Sequence, residues 1–344
     1  MATTVPDAAM GASEAAGLAA HEPIFAHRLT ILTRLRFFFK IWYIKLRVGF
    51  FFRLMRLIRA AKLRKLLPTY TKYYPERPRL ENRVFLPSNA PPGAKFPLLM
   101  VIHGGGFAFA DPQMDDAFNR RFANEYNFVV VSLNYRKAPI NPFPACVHDT
   151  AEIARAVLAD MTLPVDYSKV AIGGFSAGGN LALAIAQLPG IKENVHAIVP
   201  LYPVVDFTGK YKGPFRTTKD GKPDMLKNLA PVLDWAYIPA DQDLSDPLLS
   251  PICANREQLP QRIFFIGAEC DFLCHEAEIM AKKLAGVEEK EDTGPGWEEN
   301  GIKWKMVPDV THGWTHVEQS GDAEVERQKG LDALYKEIAA WLKQ

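Results

Sequence analysis

The sequence predicts an α/β fold with a mostly parallel central sheet flanked by helices on both faces. Three observations carry this expectation. Strand-like apolar runs alternate with helix-like stretches. Two of the runs end directly in glycine-rich turns. The 344 residues are 48% hydrophobic and 23% charged, enough apolar material for one large core. The strand-like runs lie at 82–87, 98–103, 128–134, 170–174, 197–202, 263–267 and 302–307. Helical patterns fall between and after them at 116–126, 146–160, 177–188, 275–286 and 322–343. No internal repeat interrupts the alternation.

The first glycine-rich turn to carry chemistry is Gly174-Phe175-Ser176-Ala177-Gly178. It follows the buried-strand pattern Val170-Ala171-Ile172-Gly173 and precedes the helix formers Asn180 to Ala186, so the serine sits where a strand becomes a helix. Such a turn holds the serine in a strained backbone conformation, and the flanking positions have no room for side chains. An isolated string of this kind also describes an ordinary tight turn. A second motif separates the two readings. His103-Gly104-Gly105-Gly106-Phe107 follows the apolar run Leu98 to Ile102, and its glycines let backbone N–H groups face a developing oxyanion with no Cβ in the way. Neither the dinucleotide fingerprint nor a Walker lysine is present to make it a phosphate loop.

With these motifs the chain resembles the hormone-sensitive-lipase-like family of α/β-hydrolase esterases and lipases, over roughly residues 80–344. The resemblance extends to Asn134-Tyr135-Arg136-Lys137-Ala138-Pro139, Pro142 to Ala145, Ser245 to Pro251, Asp271-Phe272-Leu273 and His312-Gly313-Trp314. It implies an α/β-hydrolase fold with a helical cap, and carboxylic ester hydrolysis. Two departures are visible. Phe175 stands where many relatives carry an aspartate, and Phe272-Leu273-Cys274-His275 replaces the usual segment after the acid. Both bear on the pocket wall more than on the mechanism.

The residues lead to the same site by their own chemistry. A serine hydroxyl needs a base, and the base needs an orienting acid, in the chain order Ser, acid, His. Of the four histidines after Ser176, His196 adjoins a strand-like run and His275 opens a helical stretch, which marks both as structural. His312 follows a strand through a short loop and is the expected base, with His316 as runner-up. Asp271 follows the core-strand pattern 262–267 and is the favoured acid, because open parallel sheets place their sites beyond the carboxyl ends of strands. Glu269, two residues earlier, stays open as an alternative. Asp149 lies in the wrong chain order and is expected to cap or pair locally. The expected site is therefore Ser176, Asp271 and His312, with Gly104, Gly105, Gly106 and Ala177 as oxyanion donors and His103, Phe107 and Phe175 as pocket walls. Neither cofactor nor metal is expected.

Residues 1–20 read as disordered, 21–79 as basic, aromatic helices and 80–344 as the main domain, with a cap insertion at about 206–246. Twelve of the 41 Lys and Arg residues lie between Arg28 and Lys65, where there is no Asp or Glu; the other 29 face all 39 acidic residues. This stretch includes Phe37-Phe38-Phe39 and Phe50-Phe51-Phe52, yet its charges interrupt every apolar run before a span of ~20 residues is reached. It is read as cap helices with peripheral contact to an anionic membrane through residues 28–65. Nucleic acid is not an expected partner, since no recognised module accompanies the charge. The absence of a signal-peptide pattern and of a disulfide framework among Cys146, Cys253, Cys270 and Cys274 points to a cytoplasmic protein, peripheral on an intracellular membrane and not secreted. The expected partner is a small hydrophobic ester, with deacetylation of a metabolite as one form of the reaction. A non-hydrolytic ligand-binding or intermediate-processing role on the same scaffold and a membrane-associated interaction protein stand as alternatives.

Overall fold

The structure, a computed structural model, describes residues 29–58, 64–288 and 294–344. The stretch read as disordered, residues 1–20, lies outside them. Among the described residues a nine-stranded sheet forms from β1 (Tyr70–Lys72), β2 (Asn82–Phe85), β3 (Phe96–Ile102), β4 (Val129–Leu133), β5 (Val165–Phe175), β6 (Ala197–Leu201), β7 (Arg262–Ala268), β8 (Gly296–Glu299) and β9 (Ile302–Val307). Their spatial order is β1-β2-β4-β3-β5-β6-β7-β9-β8. β3, β4, β5, β6, β7 and β9 run parallel, while β1 and β2 at one edge and β8 at the other pair antiparallel. The α/β expectation holds. β1 and β8 were not anticipated, because strands of three or four residues at a sheet edge leave little periodicity to read.

Side chains alternate across the sheet and so divide the core in two. Leu98, Met100 and Ile102 of β3 join one apolar cluster, and Leu99 and Val101 join the other. Covering the second cluster are α2 (Asp116–Tyr126) and α7 (Asp322–Leu342), which contribute Phe118, Phe122, Leu334 and Ile338. The first is covered by α3 (Ala145–Leu158), α4 (Ala177–Ile185) and α6 (Cys274–Ala285). The segment between β6 and β7 carries α5 (Ala230–Tyr237), whose Val232, Leu233 and Tyr237 extend the same cluster.

The N-terminal region expected to be helical over 21–79 is helical at α1 (Ile31–Ile58), whereas Tyr70–Lys72 pairs with the sheet. The helix is two-faced by position. Phe37, Ile41 and Lys45, spaced four apart, turn inward: the Phe37 ring meets Trp235 of α5 edge-on, Ile41 is fully buried, and Lys45 Nζ donates to the carbonyls of Ala108 and Ala138. Leu35, Phe39, Tyr43, Leu46, Phe50 and Leu57 are exposed.

Asp149 does not pair locally as expected. Buried in α3, it accepts from the Arg136 backbone N–H (2.9 Å) and guanidinium (2.8 and 2.9 Å) and from Arg77, 72 residues away, tying the β1–β2 edge and the loop after β4 to the body. Burial works to raise its pKa, but these hydrogen bonds outweigh it and hold the carboxyl below the ordinary range. A depressed folded pKa means the stabilisation is complete above the unfolded value of about 3.9 and is lost as pH falls through the lower folded value. Asp149→Ala should therefore cost about 2 kcal/mol in urea unfolding at pH 7, because it removes the buried acceptor of charge-assisted bonds from Arg136 and Arg77 while Arg77 keeps Glu152, and the gap from the parent should close as pH falls below about 4. A gap that stays constant with pH would contradict the assignment.

Candidate active site

Ser176 sits on the turn from β5 into α4 with φ +54° and ψ −118°, a conformation rare for a residue with a Cβ. Close approach of backbone segments fixes it there. Its N–H donates to the Leu201 carbonyl of β6 (2.9 Å), and its carbonyl accepts from Asn180 N (3.1 Å). At Gly178 a Cβ would stand 2.0 Å from the Ile102 carbonyl oxygen, so only glycine lets α4 start against the end of β3.

His312, after β9, brings Nε2 to 2.8 Å from Ser176 Oγ. Its Nδ1 lies 2.6 Å from Asp271 Oδ2, after β7, and Asp271 Oδ1 accepts from Leu273 N at 3.0 Å. In the neutral imidazole Nδ1–H donates to Asp271 and Nε2 accepts from the serine hydroxyl. Burial works to lower the His312 pKa, but the charge and hydrogen bond of Asp271 prevail and hold it above the ordinary 6.5. Both side chains are almost fully buried. The alternative acid, Glu269, points elsewhere and accepts from Asp309 N at 2.8 Å.

The glycine loop folds back on itself, Gly105 O accepting from Ala108 N (3.1 Å) and Phe109 N (2.9 Å), with Gly105 at φ +108°. A Cβ on Gly105 would meet the Phe109 carbonyl at 2.6 Å. Among the described residues no acceptor is bonded to the N–H groups of Gly105, Gly106 or Ala177. Gly104, Gly105, Gly106 and Ala177 all line a cavity of about 1360 Å³ together with Ser176 and His312. Phe107 and Phe175 also line it. The Phe107 ring stacks on Tyr237 at 3.7 Å, and Phe175 meets Phe118 edge-on at 5.1 Å.

His103 departs from its expected place as a pocket wall. It is fully buried behind the loop, stacked on Tyr135 at 4.4 Å, with Nδ1 donating to Gly104 O at 2.7 Å. Burial pushes its pKa well below the ordinary value, so it is neutral and braces the loop from the rear. Tyr135 OH donates to His103 O (3.1 Å) from the same side.

His316, the runner-up base, lines the cavity with both ring nitrogens occupied: Nε2 lies 2.9 Å from buried Asp115 Oδ1 and Nδ1 lies 2.8 Å from Thr315 Oγ1. Tyr202 OH also bonds Thr315, and the Tyr202 ring meets that of His312 edge-on at 5.1 Å. Asp224 accepts from Leu226 N (2.9 Å) and Phe272 N (2.8 Å), joining the β6–β7 insertion to the Asp271 loop. Sequence reasoning missed Asp115 and Asp224. No local pattern marks them, since the partners lie 201 and 48 residues away. The four cysteines are free, and among the described residues no three His, Cys, Asp or Glu side chains converge as a metal-ligand group.

A family model for the α/β-hydrolase fold matches residues 99–296. LipN, a carboxylic ester hydrolase of Mycobacterium tuberculosis, is 30% identical over 249 residues, covering 67% of this chain and 60% of its own. An arylesterase of Saccharolobus solfataricus is 35% identical over 195 residues, covering 54% and 61% respectively. The chain thus spans about three-fifths of the length of these curated relatives. Among solved structures, a hyperthermophilic esterase from the archaeon Pyrobaculum calidifontis superposes with a TM-score of 0.66 at 25% identity, over 92% of this chain and 98% of that one.

The turn geometry makes a direct prediction. Gly178→Ala places its methyl group against backbone and should lower stability by about 3 kcal/mol or more. Gly179→Ala, whose Cβ would meet Pro203 Cβ at 3.0 Å, should cost about 1 kcal/mol. Chemical denaturation of the two variants checks the order, and equal losses would contradict the packing at the turn.

Proposed function

The chain belongs to the α/β-hydrolase fold family, and from that premise we propose that it is a carboxylic ester hydrolase acting through Ser176, His312 and Asp271. The observation that carries the reading is the hydrogen-bonded series Asp271–His312–Ser176 beside backbone N–H groups that have no acceptor among the described residues. In this mechanism His312 Nε2 takes the proton of Ser176 as Oγ attacks the ester carbonyl carbon. The negative oxygen is held by N–H groups from the Gly104–Gly106 loop and from Ala177, each such donor contributing roughly 3 kcal/mol. As the C–O bond breaks, His312 returns the proton to the leaving alcohol. Water then attacks the acyl-serine in the same way and releases the acid. Asp271 keeps the imidazole in the tautomer that accepts from serine.

Substrate preference follows from the walls. Phe107, Phe175, Phe207, Leu233 and Tyr237 favour a hydrophobic ester, and a cavity of about 1360 Å³ has room for a bulky one. Relatives named carboxylic ester hydrolase and arylesterase support the same class. We further read α1 with the 206–246 insertion as a cap, supported by the packing of Phe37 on Trp235 and by the bond from Lys40 Nζ to Asn228 O.

The outer face of α1 supports peripheral contact with an anionic lipid surface. Its exposed apolar and aromatic residues stand among the exposed cations Arg34, Arg36 and Arg47, matching an apolar interior beneath a negative surface. No described helix is long and apolar enough to cross a membrane. The peripheral placement on an intracellular membrane expected from the sequence rests on this face.

A fluorophosphonate probe should label the parent and leave Ser176→Ala unmodified, with ester hydrolysis reduced at least ~10⁴-fold in that variant and in His312→Ala. Because the base must be neutral, kcat/KM should rise with pH through a value above 6.5, and Asp271→Asn should move that limb down. Labelling elsewhere, or hydrolysis that survives in Ser176→Ala, would overturn the reading. For the lipid face, the protein should sediment with phosphatidylserine vesicles at 0.1 M salt and be released at 1 M, where the Debye length falls from ~10 Å to ~3 Å. Failure to bind at every salt concentration would leave α1 as cap alone.

A further inference from the structure

A second cavity, of about 360 Å³, opens between α1 and the segment that follows the glycine loop. Lys45, Val48, Gly49 and Arg53 of α1 form one wall, and Ala108 to Asp111 with Lys137 form the other. Three cations therefore face one carboxylate. Lys45 Nζ donates to Ala108 O at 2.6 Å and Ala138 O at 2.8 Å; Lys137 Nζ donates to Asn134 Oδ1 at 2.8 Å and to Tyr135 O. An ammonium carries three donors, so the bonds within the described residues use two on each lysine. All four of these acceptors are uncharged.

Among the described residues three cations against one carboxylate leave positive charge in excess, which is costly where it is partly buried, and the protonation equilibria register it. Burial pulls Lys137 down to about 7, and the repulsion of Lys45 adds to the effect against the opposing charge of Asp111. Burial lowers Lys45 as well. A multiply charged oxyanion entering the cavity would supply the missing charge and accept from the remaining donors of both lysines and from the Arg53 fork, by charge-assisted hydrogen bonds.

We propose that this cavity binds a phosphate group and thereby clamps α1 onto the glycine loop. The cavity is joined to the loop through shared walls, since Phe109, Ala110 and Asp111 line both cavities and the N–H groups of Ala108 and Phe109 bond Gly105 O. Occupancy therefore stabilises the loop that presents the free N–H groups. The phosphate can be free in solution or the headgroup of a lipid reached by α1, and the recognising chemistry is the same.

The test uses the full chain at constant ionic strength. Inorganic phosphate should bind saturably by calorimetry and raise the melting temperature above that of a chloride control. Lys137→Met should weaken binding ~10-fold or more, as loss of one charge-assisted bond implies. Arg53→Gln, at an exposed position where folding is not at stake, should weaken it in the same direction. Saturable phosphate binding that depends on both residues assigns the site to a soluble phosphate. If phosphate fails to bind while vesicles with phosphatidate bind, vesicles of phosphatidylcholine alone do not, and both substitutions abolish the difference, the site takes a lipid headgroup. Absence of binding to either probe, or binding unchanged in both variants, overturns the proposal. Because melting temperature and calorimetry read occupancy and not turnover, the outcome is independent of ester hydrolysis.

Discussion

The close backbone approach at the end of β5 is the constraint on which the rest of the molecule depends. Gly178 lets α4 begin against the Ile102 carbonyl, and the Leu201 carbonyl holds Ser176 N–H from the other side. Between these contacts the serine is left at positive φ, a conformation that the surrounding sheet must over-determine if it is to persist. Because β5 lies at the centre of the sheet with β3 and β6 as neighbours, the turn is rigid and its hydroxyl stands at the carboxyl edge. β7 and β9 are adjacent and parallel, so the loops that follow them deliver Asp271 and His312 to the same edge. The proposed nucleophile, base and acid thus follow three strands of one parallel sheet that carries apolar clusters on both faces.

Around this centre the polar groups are held from behind by residues that do not face the cavity's reacting end. His103 and Tyr135 brace the glycine loop, Asp224 ties the β6–β7 insertion to the Asp271 loop, and Asp115 with His316 anchors the turn that carries His312. Apart from the partly exposed His316, each is a buried polar group that must find partners or incur a desolvation cost. That requirement locks the loops to one arrangement without adding apolar area. Preorganised N–H groups are worth most when they need not reorganise, and this bracing supplies that condition.

α1 shows how one helix serves two environments. Its Phe37, Ile41 and Lys45 stripe belongs to the protein interior, where Lys45 satisfies backbone carbonyls beside the glycine loop. The remaining surface mixes aromatic and cationic side chains, which a wholly aqueous exterior does not favour. Both the proposed lipid contact and the proposed phosphate cavity arise from this helix, the first from its outer face and the second from the edge where it meets the body.

The sequence by itself determined the architecture and singled out Ser176 and His312 of the proposed site, with the acid narrowed to Asp271 or Glu269. Parallel strands buried on both faces appear as continuous apolar runs, and a nucleophile turn and a glycine loop must use glycine wherever a Cβ would meet backbone, so both are local and readable. Ser176, Asp271 and His312 could be found because each follows its own strand-like run in the chain order that the chemistry requires. Only the tertiary structure decided between Asp271 and Glu269, moved His103 from the pocket wall to the back of the loop, and gave Asp149 partners far along the chain. It also decided the edge strands β1 and β8, the Asp115–His316 pair and the Asp224 tie. The physical reason is common to all of them: a polar group's role is set by which donor or acceptor meets it after folding, and those partners come from segments whose spacing in the chain carries no periodic signal.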